Sequence, residues 1–571
     1  MLKLARYLKN YIKEVIIGPF FKLIEAVFEL IVPLVMAKII DVGIENSDKD
    51  YILKMGGVMI LLGVVGLCCA LVCQYLASRT SQAIGTDLRN DVFSKIGSLS
   101  YSQLDKFGSA SLVNRIISDV NQLQLAVAML IRLVVRVPFL IIGATVMAFS
   151  INTELAVIFV VIIPLVALSL YLVMSRSVPY YKRIQKNLDG VSGIVRENLN
   201  GVRVIRAFSG QDRENIRFQK ATDIVMEENI RVGRISAILN PVCYVILNLA
   251  IIAILYFGGG KVYDGAVSQG EIIALVNYMT QISLALVVMA NLVVIFTKAG
   301  ASASRVNEIF DETPDISDGS GATISENAPA VEFRDACFDY GNNGEYELEG
   351  ITFSVNKGET IGIIGSTGSG KSTLINLIPR FYDTAKGEVF VDGANVKDYI
   401  VSDLRRKIGI VPQKSALFSG TVRENLTIGN ENASEEAIKK AIRIAQAEDI
   451  VERMPEGLDT FIAEGGRNLS GGQRQRLTIA RALVCEPEIL ILDDSSSALD
   501  YVTDLNLRKA IKEETDNMTV FIVSQRANAI KNSDRIVVLD DGRISAIGKH
   551  EELLKTSDVY IEICKSQEVK G

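Results

Sequence analysis

The sequence is poor in the side chains that most enzymes use for proton transfer and metal binding. Its 571 residues include a single histidine, His550, and no tryptophan. The seven cysteines contain no C-x-x-C pair, and several stand inside apolar runs, so neither a disulfide framework nor a zinc site is indicated. A formal net charge of -6 argues against a general polyanion binder, and we expect no nucleic acid among the partners. Most histidine-based catalysis and histidine-ligated metal sites are therefore excluded.

Long apolar runs are concentrated in the first half of the chain. Six segments approach the ~20 apolar residues that a membrane-spanning helix needs. The first, roughly 15–40, is interrupted by charged residues; the others are 56–76, 137–151, 155–174, 242–257 and 272–296. We therefore predict an all-α transmembrane domain of six helices over residues 1–310, in a multi-pass protein of the cell (plasma) membrane whose partner is the lipid bilayer.

The charges between these segments predict the topology. The opening segment 1–13 is basic and amphipathic, which places the N-terminus in the cytoplasm. Two long polar excursions, 78–124 and 175–235, fall on the same side and keep helical periodicity, so we expect the helices to continue into the cytoplasm. Breaks at Gly108 and Gly210 would allow a short helix to turn back at each tip.

Polar residues inside the apolar segments require an explanation. Glu25 and Glu29 share one helix face at i, i+4, and so do Asn277 and Gln281. They would line a polar, substrate-facing cavity, or they would make helix–helix hydrogen bonds or lie nearer the interface; the sequence leaves both interpretations open. Arg136 precedes an apolar run and is predicted on a cytoplasmic helix extension.

The composition changes near residue 310. We predict a polar linker over 311–328 and an α/β nucleotide-binding domain over 329–571, because short β-rich runs alternate there with helical ones. A buried strand at 361–364 leads into a complete P-loop followed by an apolar helix, the setting in which backbone N–H groups cradle phosphates. The predicted nucleotide-binding residues of this loop are Gly365, Ser366, Thr367, Gly368, Ser369, Gly370, Lys371, Ser372 and Thr373.

Two elements of this domain predict a magnesium-dependent reaction of a nucleoside triphosphate. Lys371 would reach the outer phosphates, and the Ser372 hydroxyl would ligate Mg²⁺. A second apolar strand, 489–492, ends in Asp493, the acidic residue with which P-loop enzymes hold the metal.

Further motifs resemble those of the ABC transporters. The segment Leu469-Ser470-Gly471-Gly472-Gln473 is similar to their signature motif, and Ser497-Ala-Leu-Asp500 is similar to their D-loop. Tyr340 resembles the aromatic residue that stacks on adenine, and Gln413 resembles the magnesium-sensing glutamine. The resemblance covers essentially the whole chain and is to exporter-type (type IV) half-transporters. It implies a helical signature subdomain within the nucleotide domain, with ATP and Mg²⁺ as cofactors.

The resemblance also implies a dimer. Each ATP would be sandwiched between one chain's P-loop and the other chain's signature motif, so Leu469–Gln473 would face the partner's ATP. Short helices at the excursion tips, near 106–112 and 211–218, would couple the membrane helices to the nucleotide domains.

Two positions depart from the pattern of the family. Where the family has the catalytic glutamate, this chain has Asp494, whose carboxylate lies one methylene, roughly 1.5 Å, further back. Where the family has the switch histidine, this chain has Gln525, which can donate a hydrogen bond but cannot carry a proton. Together with Lys371 these are the predicted catalytic residues. The two changes match the degenerate-site subunit of heterodimeric multidrug exporters, and the alternative is a slow homodimer.

The expected function is ATP-driven export of small hydrophobic or amphipathic compounds. The partner would be a second half-transporter with glutamate and histidine at the two altered positions. A lipid, peptide or siderophore transporter of the same fold stays open, and so does an ATP-gated regulator, although the short linker favours a pump.

Overall fold

The computed structural model describes residues 2–325, 327–341, 345–495, 498–515 and 517–568. The chain forms two compact units: the first comprises Met1–Gly97 and Ser109–Glu312, and the second comprises Ser98–Gly108 and Thr313–Gly571. The second unit thus recruits an eleven-residue piece of the segment predicted to belong to the membrane domain. The domain limits 1–310, 311–328 and 329–571 stay a prediction.

Helices account for nearly all of the chain up to residue 311. In chain order they are α1 (Arg6–Lys9), α2 (Ile12–Lys38), α3 (Lys49–Gly97), α4 (Tyr101–Phe107), α5 (Ser109–Asn114), α6 (Val120–Met129), α7 (Arg136–Ile151), α8 (Thr153–Asn200), α9 (Val202–Ala207), α10 (Gln211–Ala237), α11 (Leu239–Tyr263) and α12 (Gln269–Asp311). Short π-helical stretches at Ile39–Ile44, Arg115–Asp119 and Leu130–Val134 continue neighbouring helices. Helix α4 clusters with the second unit and the others form the first.

Five helices within the described ranges are long and apolar enough to cross a membrane: Lys49–Gly97, Ser109–Ile151, Thr153–Asn200, Gln211–Tyr263 and Gln269–Asp311. They contain the last five of the six predicted segments. The first predicted segment also forms a helix, α2, but charged residues along it keep it from meeting the same test. A membrane-spanning helical domain is therefore confirmed, whereas six crossings are not.

Small side chains allow the helices of the first unit to approach closely. Ala26, Ala144 and Ala274 are fully buried, as expected where helices pack without a hydrophobic driving force between them. Deep in the same core, the Tyr278 hydroxyl on α12 donates to the Leu30 carbonyl on α2 at 2.7 Å. This unit therefore combines close apolar packing with a few satisfied polar links.

Both excursion tips contain the breaks that the sequence predicts. Gly108 has a positive φ (73°) and ends α4, while Ser209 (φ 51°) follows α9. At the first tip a capping box of Ser100 and Gln103 starts α4. Helices lie on both sides of each break, and the coupling role of the segments near 106–112 and 211–218 stays a prediction.

The second unit is an α/β domain. Its strands are β1 (Val331–Phe338), β2 (Leu348–Val355), β3 (Thr360–Gly365), β4 (Lys386–Val391), β5 (Ala394–Asn395), β6 (Ile408–Val411), β7 (Gly420–Thr421), β8 (Phe461–Ile462), β9 (Ile489–Asp493), β10 (Thr519–Val523), β11 (Arg535–Asp540) and β12 (Arg543–Gly548). Its helices after α4 are α13 (Lys371–Leu377), α14 (Val401–Arg406), α15 (Val422–Leu426), α16 (Glu435–Ile444), α17 (Glu448–Glu452), α18 (Gly471–Val484), α19 (Tyr501–Glu514), α20 (Ala527–Ile530), α21 (His550–Thr556) and α22 (Asp558–Glu568).

The main sheet has the order β12-β11-β3-β10-β9-β6, and an antiparallel sheet has the order β2-β1-β4-β5. Strands β11, β3, β10, β9 and β6 run parallel. Strands β3 and β10 are buried on both faces, which explains their uninterrupted apolar sequence. Four helices, α15–α18, lie between β6 and β9, where a helical subdomain is expected. Because parallel strands end at the same edge, the segments that follow β3, β6, β9 and β10 meet there.

Helix α4 packs on an aromatic patch within the second unit. The Tyr101 ring lies 4.5 Å from the Phe381 ring, centroid to centroid. The Tyr382 hydroxyl donates to the Asp105 carboxylate at 3.2 Å, and the Gln103 amide donates to the Thr313 carbonyl. These contacts explain why α4 clusters with the nucleotide domain.

We predict that Asp119→Ala destabilises the protein far more than Glu197→Ala does. Asp119 is 2% exposed and accepts from the Ser302 hydroxyl at 2.9 Å and from Arg305 Nε at 2.8 Å. Removing it strands a buried hydroxyl, at a cost of about 1–3 kcal/mol. Glu197 pairs with Arg217 at an exposed site, where an ion pair contributes ~0–1 kcal/mol.

The measurement is the Tm of each purified variant in detergent. Asp119→Ala should lower Tm by several degrees, and Glu197→Ala should leave it close to that of the unmodified protein. Equal shifts in the two variants would contradict the assignment of Asp119 as a buried anchor of α12.

Candidate nucleotide-binding site

The P-loop joins β3 to α13, as the sequence predicts. Gly368 and Gly370 adopt left-handed conformations (φ 86° and 88°), which a side chain would oppose. A Cβ on Gly370 would also lie 2.6 Å from the Leu348 side chain. The two glycines therefore allow the tight loop that turns backbone N–H groups inward.

Lys371 lies at the base of the loop and is 8% exposed. Its Nζ donates to the Gly365 carbonyl at 3.0 Å and to the Ser366 carbonyl at 2.6 Å. Burial lowers the pKa of Lys371, against the opposing attraction of two nearby aspartates. The ammonium group is thus held where it can reach the outer phosphates of a bound nucleotide.

The residues predicted to hold Mg²⁺ converge at the same edge of the sheet. The Ser372 hydroxyl donates to Asp493 Oδ2 at 3.1 Å, and Gln413, just beyond β6, lines the same cavity. A hydroxyl, a carboxylate and an amide are the oxygen ligands that Mg²⁺ takes, with phosphate and water completing its shell. The chemistry of this donor set therefore fits the metal.

Asp494 and Gln525 line this cavity of ≈260 Å³ together with Lys371 and Asp493. Asp494 follows β9 in a left-handed conformation (φ 45°), and its backbone N–H donates to the Val523 carbonyl at 2.9 Å. Gln525 follows β10. The structure thus brings the predicted catalytic residues to one place, although their roles stay predictions.

Tyr340 follows β1 at the mouth of the P-loop and is 51% exposed. Its hydroxyl and the Thr373 hydroxyl lie 3.1 Å apart, and its ring meets the Tyr382 ring edge-on at 5.3 Å. An exposed aromatic face next to the loop suits a base that stacks. Tyr382, which sequence reasoning missed, supports this ring from behind.

The signature residues lie elsewhere on the domain. Ser470 begins α18 in a capping box, with its backbone N–H donating to Gln473 Oε1 at 2.8 Å. In the described part of the domain, none of Leu469, Ser470, Gly471, Gly472 and Gln473 lines the P-loop cavity. Asp500 caps α19 by accepting from the Thr503 N–H at 2.9 Å, while Ser497 lies outside the described residues.

Three cavity residues had no signal in the sequence: Glu347, Val523 and Ser524. Glu347 precedes β2, so only the pairing of the antiparallel sheet brings it to the loop. Val523 ends β10 and Ser524 follows it, and their position at the loop depends on the strand order.

Comparison with known families agrees with this site. A family model described as "ABC transporter transmembrane region" matches residues 15–286, and one described as "ABC transporter" matches residues 348–497. An uncharacterised ABC transporter ATP-binding protein of Bacillus subtilis, YfiB, is 38% identical over 568 residues, with 99% of this chain and 98% of that protein covered. The chain belongs to the ABC transporters.

Other relatives of this ABC transporter carry more specific names. An "ATP-dependent lipid A-core flippase" of Desulfotalea psychrophila is 34% identical over 486 residues, 85% of either chain. A solved bacterial Atm1-family ABC exporter with ATP bound superposes with a TM-score of 0.79 over 99% of this chain and 98% of that one, at 24% identity. The chain thus has the exporter fold and an ATPase domain, and transporters of this fold act as dimers in a lipid bilayer.

The polar residues inside the membrane helices of this ABC transporter are mostly paired. Lys22 contacts Glu25 at 2.6 Å, and Arg136 contacts Glu29 at 2.7 Å. The Gln281 amide donates to the Glu29 carbonyl at 3.3 Å. The Lys22–Glu25 pair lies within α2, whereas the two contacts of Glu29 join α2 to α7 and to α12.

Asn277 is the fourth residue of the predicted cavity set, after Glu25, Glu29 and Gln281. It is exposed and donates to the Ile273 carbonyl of its own helix at 3.0 Å. Its surroundings therefore differ from those of Glu25, Glu29 and Gln281. A cavity role for the four residues stays a prediction.

We predict that Mg²⁺-dependent nucleotide binding weakens on acidification earlier than an ordinary aspartate would allow. Burial raises the pKa of Asp493, an effect that the Ser372 hydrogen bond opposes and the charge of Asp494 reinforces. A protonated carboxyl cannot hold the metal, so affinity is lost as the pH falls through this raised pKa.

The measurement is the Mg²⁺ concentration for half-maximal binding of a fluorescent ATP analogue at a series of pH values. Asp493→Asn should need more Mg²⁺ at every pH and lose most of the pH dependence. Asp541→Asn, an exposed control on the β11–β12 turn, should behave as the unmodified protein does. A profile unaltered in Asp493→Asn would contradict the proposed metal ligand.

Proposed function

We propose that this chain is one subunit of a heterodimeric ABC exporter and that its own ATP site is degenerate. The cargo is a hydrophobic or amphipathic small compound, as in multidrug exporters. The observation that carries the proposal is the P-loop cavity, in which Lys371, Ser372 and Asp493 have the arrangement that holds MgATP while Asp494 and Gln525 occupy the two positions that drive hydrolysis.

The backbone at Asp494 supports a slow site. Its N–H is bonded to the Val523 carbonyl on the neighbouring strand, so the main chain is not free to advance by the length of the missing methylene. A general base must lie within hydrogen-bond reach of its water, and misplacement by ~1 Å can cost about a hundredfold in rate. Gln525 can hydrogen bond to a phosphate but cannot exchange a proton near neutral pH.

The signature segment supports a role in the partner's site. Ser470 and Gly472 are present, and the Ser470 capping box orders the start of α18. Because this segment lies outside the chain's own cavity, it can complete the binding site around ATP that is held by the partner's P-loop. The proposed dimer therefore has one fast site, made of the partner's P-loop and this signature, and one slow site.

The proposed transport cycle follows from these two sites. ATP binds the closed pair of nucleotide domains better than the separated pair and shifts the population toward closure. Closure moves the membrane helices, including α2 as a sixth crossing, and turnover at the fast site reopens the pair. The N-terminus and the nucleotide domain lie in the cytoplasm in this scheme, and ATP at the slow site acts mainly as a clamp.

Pairing inside the membrane helices favours an amphipathic cargo that is not selected as a cation. The carboxylates of Glu25 and Glu29 are neutralised by Lys22 and Arg136, so neither offers an unpaired negative charge to a ligand. A second candidate cargo is a lipid. It is favoured by the 34% identity to a lipid A-core flippase, which covers 85% of both chains.

We predict that the chain extracted from its native membrane co-purifies with a second, different half-transporter. That partner should carry glutamate and histidine at the positions of Asp494 and Gln525. Affinity purification in mild detergent followed by mass spectrometry gives the stoichiometry. A homodimer that hydrolyses ATP briskly at two equivalent sites would contradict the proposal.

We also predict that Asp494→Glu combined with Gln525→His raises ATP turnover at this chain's site by about 10- to 100-fold. The purified complex is labelled with an azido-ATP photolabel after vanadate trapping, and the two chains are separated to read each site. Asp541→Glu is the matched control, because Asp541 has a similar left-handed backbone (φ 40°) on an exposed turn. Trapping that stays at the level of the control would refute a catalytic reason for the two residues.

A further inference from the structure

The turn that carries Gln525 is held by few interactions within its own segment. It connects β10 to the four-residue helix α20. The Ser524 N–H donates to the Ile363 carbonyl at 3.1 Å, and the Arg526 N–H donates to the Ser524 hydroxyl at 3.0 Å. The carbonyl of Gln525 and the N–H of Ala527 take part in neither of these bonds.

Both groups find their partner in one side chain, that of Gln567 on α22. Gln567 Nε2 donates to the Gln525 carbonyl at 2.7 Å, and Gln567 Oε1 accepts from the Ala527 N–H at 2.9 Å. The two bonds lie on either side of residue 526. One uses the N–H donor of the Gln567 amide and the other uses its oxygen acceptor. The side chain thus fastens the backbone on both sides of the turn, 42 and 40 residues away along the chain.

The helix that presents Gln567 is itself firmly seated. Tyr560 is fully buried in the core of the domain, and its hydroxyl lies 2.7 Å from Nδ1 of His550 at the start of α21. Cys564, one turn further on, is also buried. Gln567 therefore extends from a rigid support, and its hold on the turn is fixed by the packing of α22.

We propose that Gln567 is a positioning residue for the switch position of this ABC transporter, holding the backbone of residue 525 so that its side chain faces the γ-phosphate of bound ATP. Gln525 lines the P-loop cavity with Lys371 and Asp494, so a change at the turn reaches the reacting end of the nucleotide. Gln567 itself does not line that cavity. It acts through the turn, and the nucleotide-binding residues Tyr340 and Ser372 lie on separate segments.

The chemistry of the amide explains why few other residues could replace it. Glutamate keeps the acceptor for Ala527 but turns a carboxylate oxygen toward the Gln525 carbonyl, where two acceptors repel each other. Methionine has a similar length and makes neither bond. Loss of both bonds leaves the turn free to sample other conformations, which misplaces the side chain at 525 by distances of the order that reduce catalysis.

The role can be tested where turnover is measurable at this chain's own site. That background is the complex carrying Asp494→Glu and Gln525→His, so this part of the test rests on the function proposed above. In it, Gln567→Met should lower kcat roughly tenfold while the KM for ATP changes less than about twofold. Gln567→Glu should lower kcat at least as much, because the carboxylate keeps the bond to the Ala527 N–H but repels the Gln525 carbonyl.

A second readout does not need the restored background. In the unmodified complex, azido-ATP is bound in the dark and free nucleotide is removed by rapid gel filtration. The fraction still held at this chain's P-loop is then fixed by photolabelling at successive times for each variant. Gln567→Met should still bind azido-ATP at saturating concentration and should release it several-fold faster than the unmodified complex does. If Asp494→Glu with Gln525→His fails to raise turnover while Gln567→Met still accelerates release, the degenerate-site proposal fails and the role of Gln567 stands.

The matched control is Ser566→Ala on the same helix. The Ser566 hydroxyl donates only within α22, to the Ile563 carbonyl at 2.8 Å, so its loss perturbs the helix without touching the turn. Tm measurements on all variants show whether a substitution has destabilised the packing of α22 against the domain. Normal kcat and normal release in Gln567→Met would overturn the proposal, and so would equal losses in Gln567→Met and Ser566→Ala.

Discussion

Parallel pairing of β3, β10 and β9 is the constraint on which the ATP site depends. The register places Val523 beside Asp493 and Ile363, so three strand ends reach one edge at the same height. Each end then delivers one component: the P-loop after Gly365, the acidic pair after Leu492 and the switch turn after Val523. A one-residue slip of β10 would carry Gln525 to the opposite face of the sheet. The site is therefore fixed by backbone hydrogen bonds before any side chain contributes.

Much of this site could be predicted because its residues stand close together in the sequence. A strand, a glycine-rich loop and a helix are contiguous in the chain, and Asp493 stands directly after an apolar run. What could not be predicted depends on strand order and on distant contacts. Glu347, Tyr382 and Gln567 reach the site or its supports through sheet pairing, aromatic packing and a C-terminal helix, and none belongs to a local pattern.

The membrane half shows what composition can and cannot settle. Apolar length predicts six spans, and five helices in the described part of the chain are long and apolar enough to cross a membrane. The first helix carries charges that weaken the hydropathy signal, and their partners lie far away in sequence: Arg136 meets Glu29 across 107 residues. Pairing of this kind is stabilising in a low-dielectric medium only when both charges are present. In a hydropathy profile such residues interrupt an apolar segment, although Arg136 and Glu29 together link α2 to α7.

The residues predicted to hold the nucleotide and those predicted to hydrolyse it are different residues at the same strand ends, so the second set can change without the first. Lys371 is buried and donates to the Ser366 carbonyl at 2.6 Å, and the Ser372 hydroxyl donates to Asp493 at 3.1 Å. Asp494 and Gln525 stand one or two residues beyond two of those strands, where a shorter acid or a neutral amide changes no strand pairing. The fold thus permits a subunit that binds ATP tightly and turns it over slowly. In the heterodimer proposed above, the two altered residues belong to this chain's own P-loop site, so the partner's site would keep a complete set of catalytic groups.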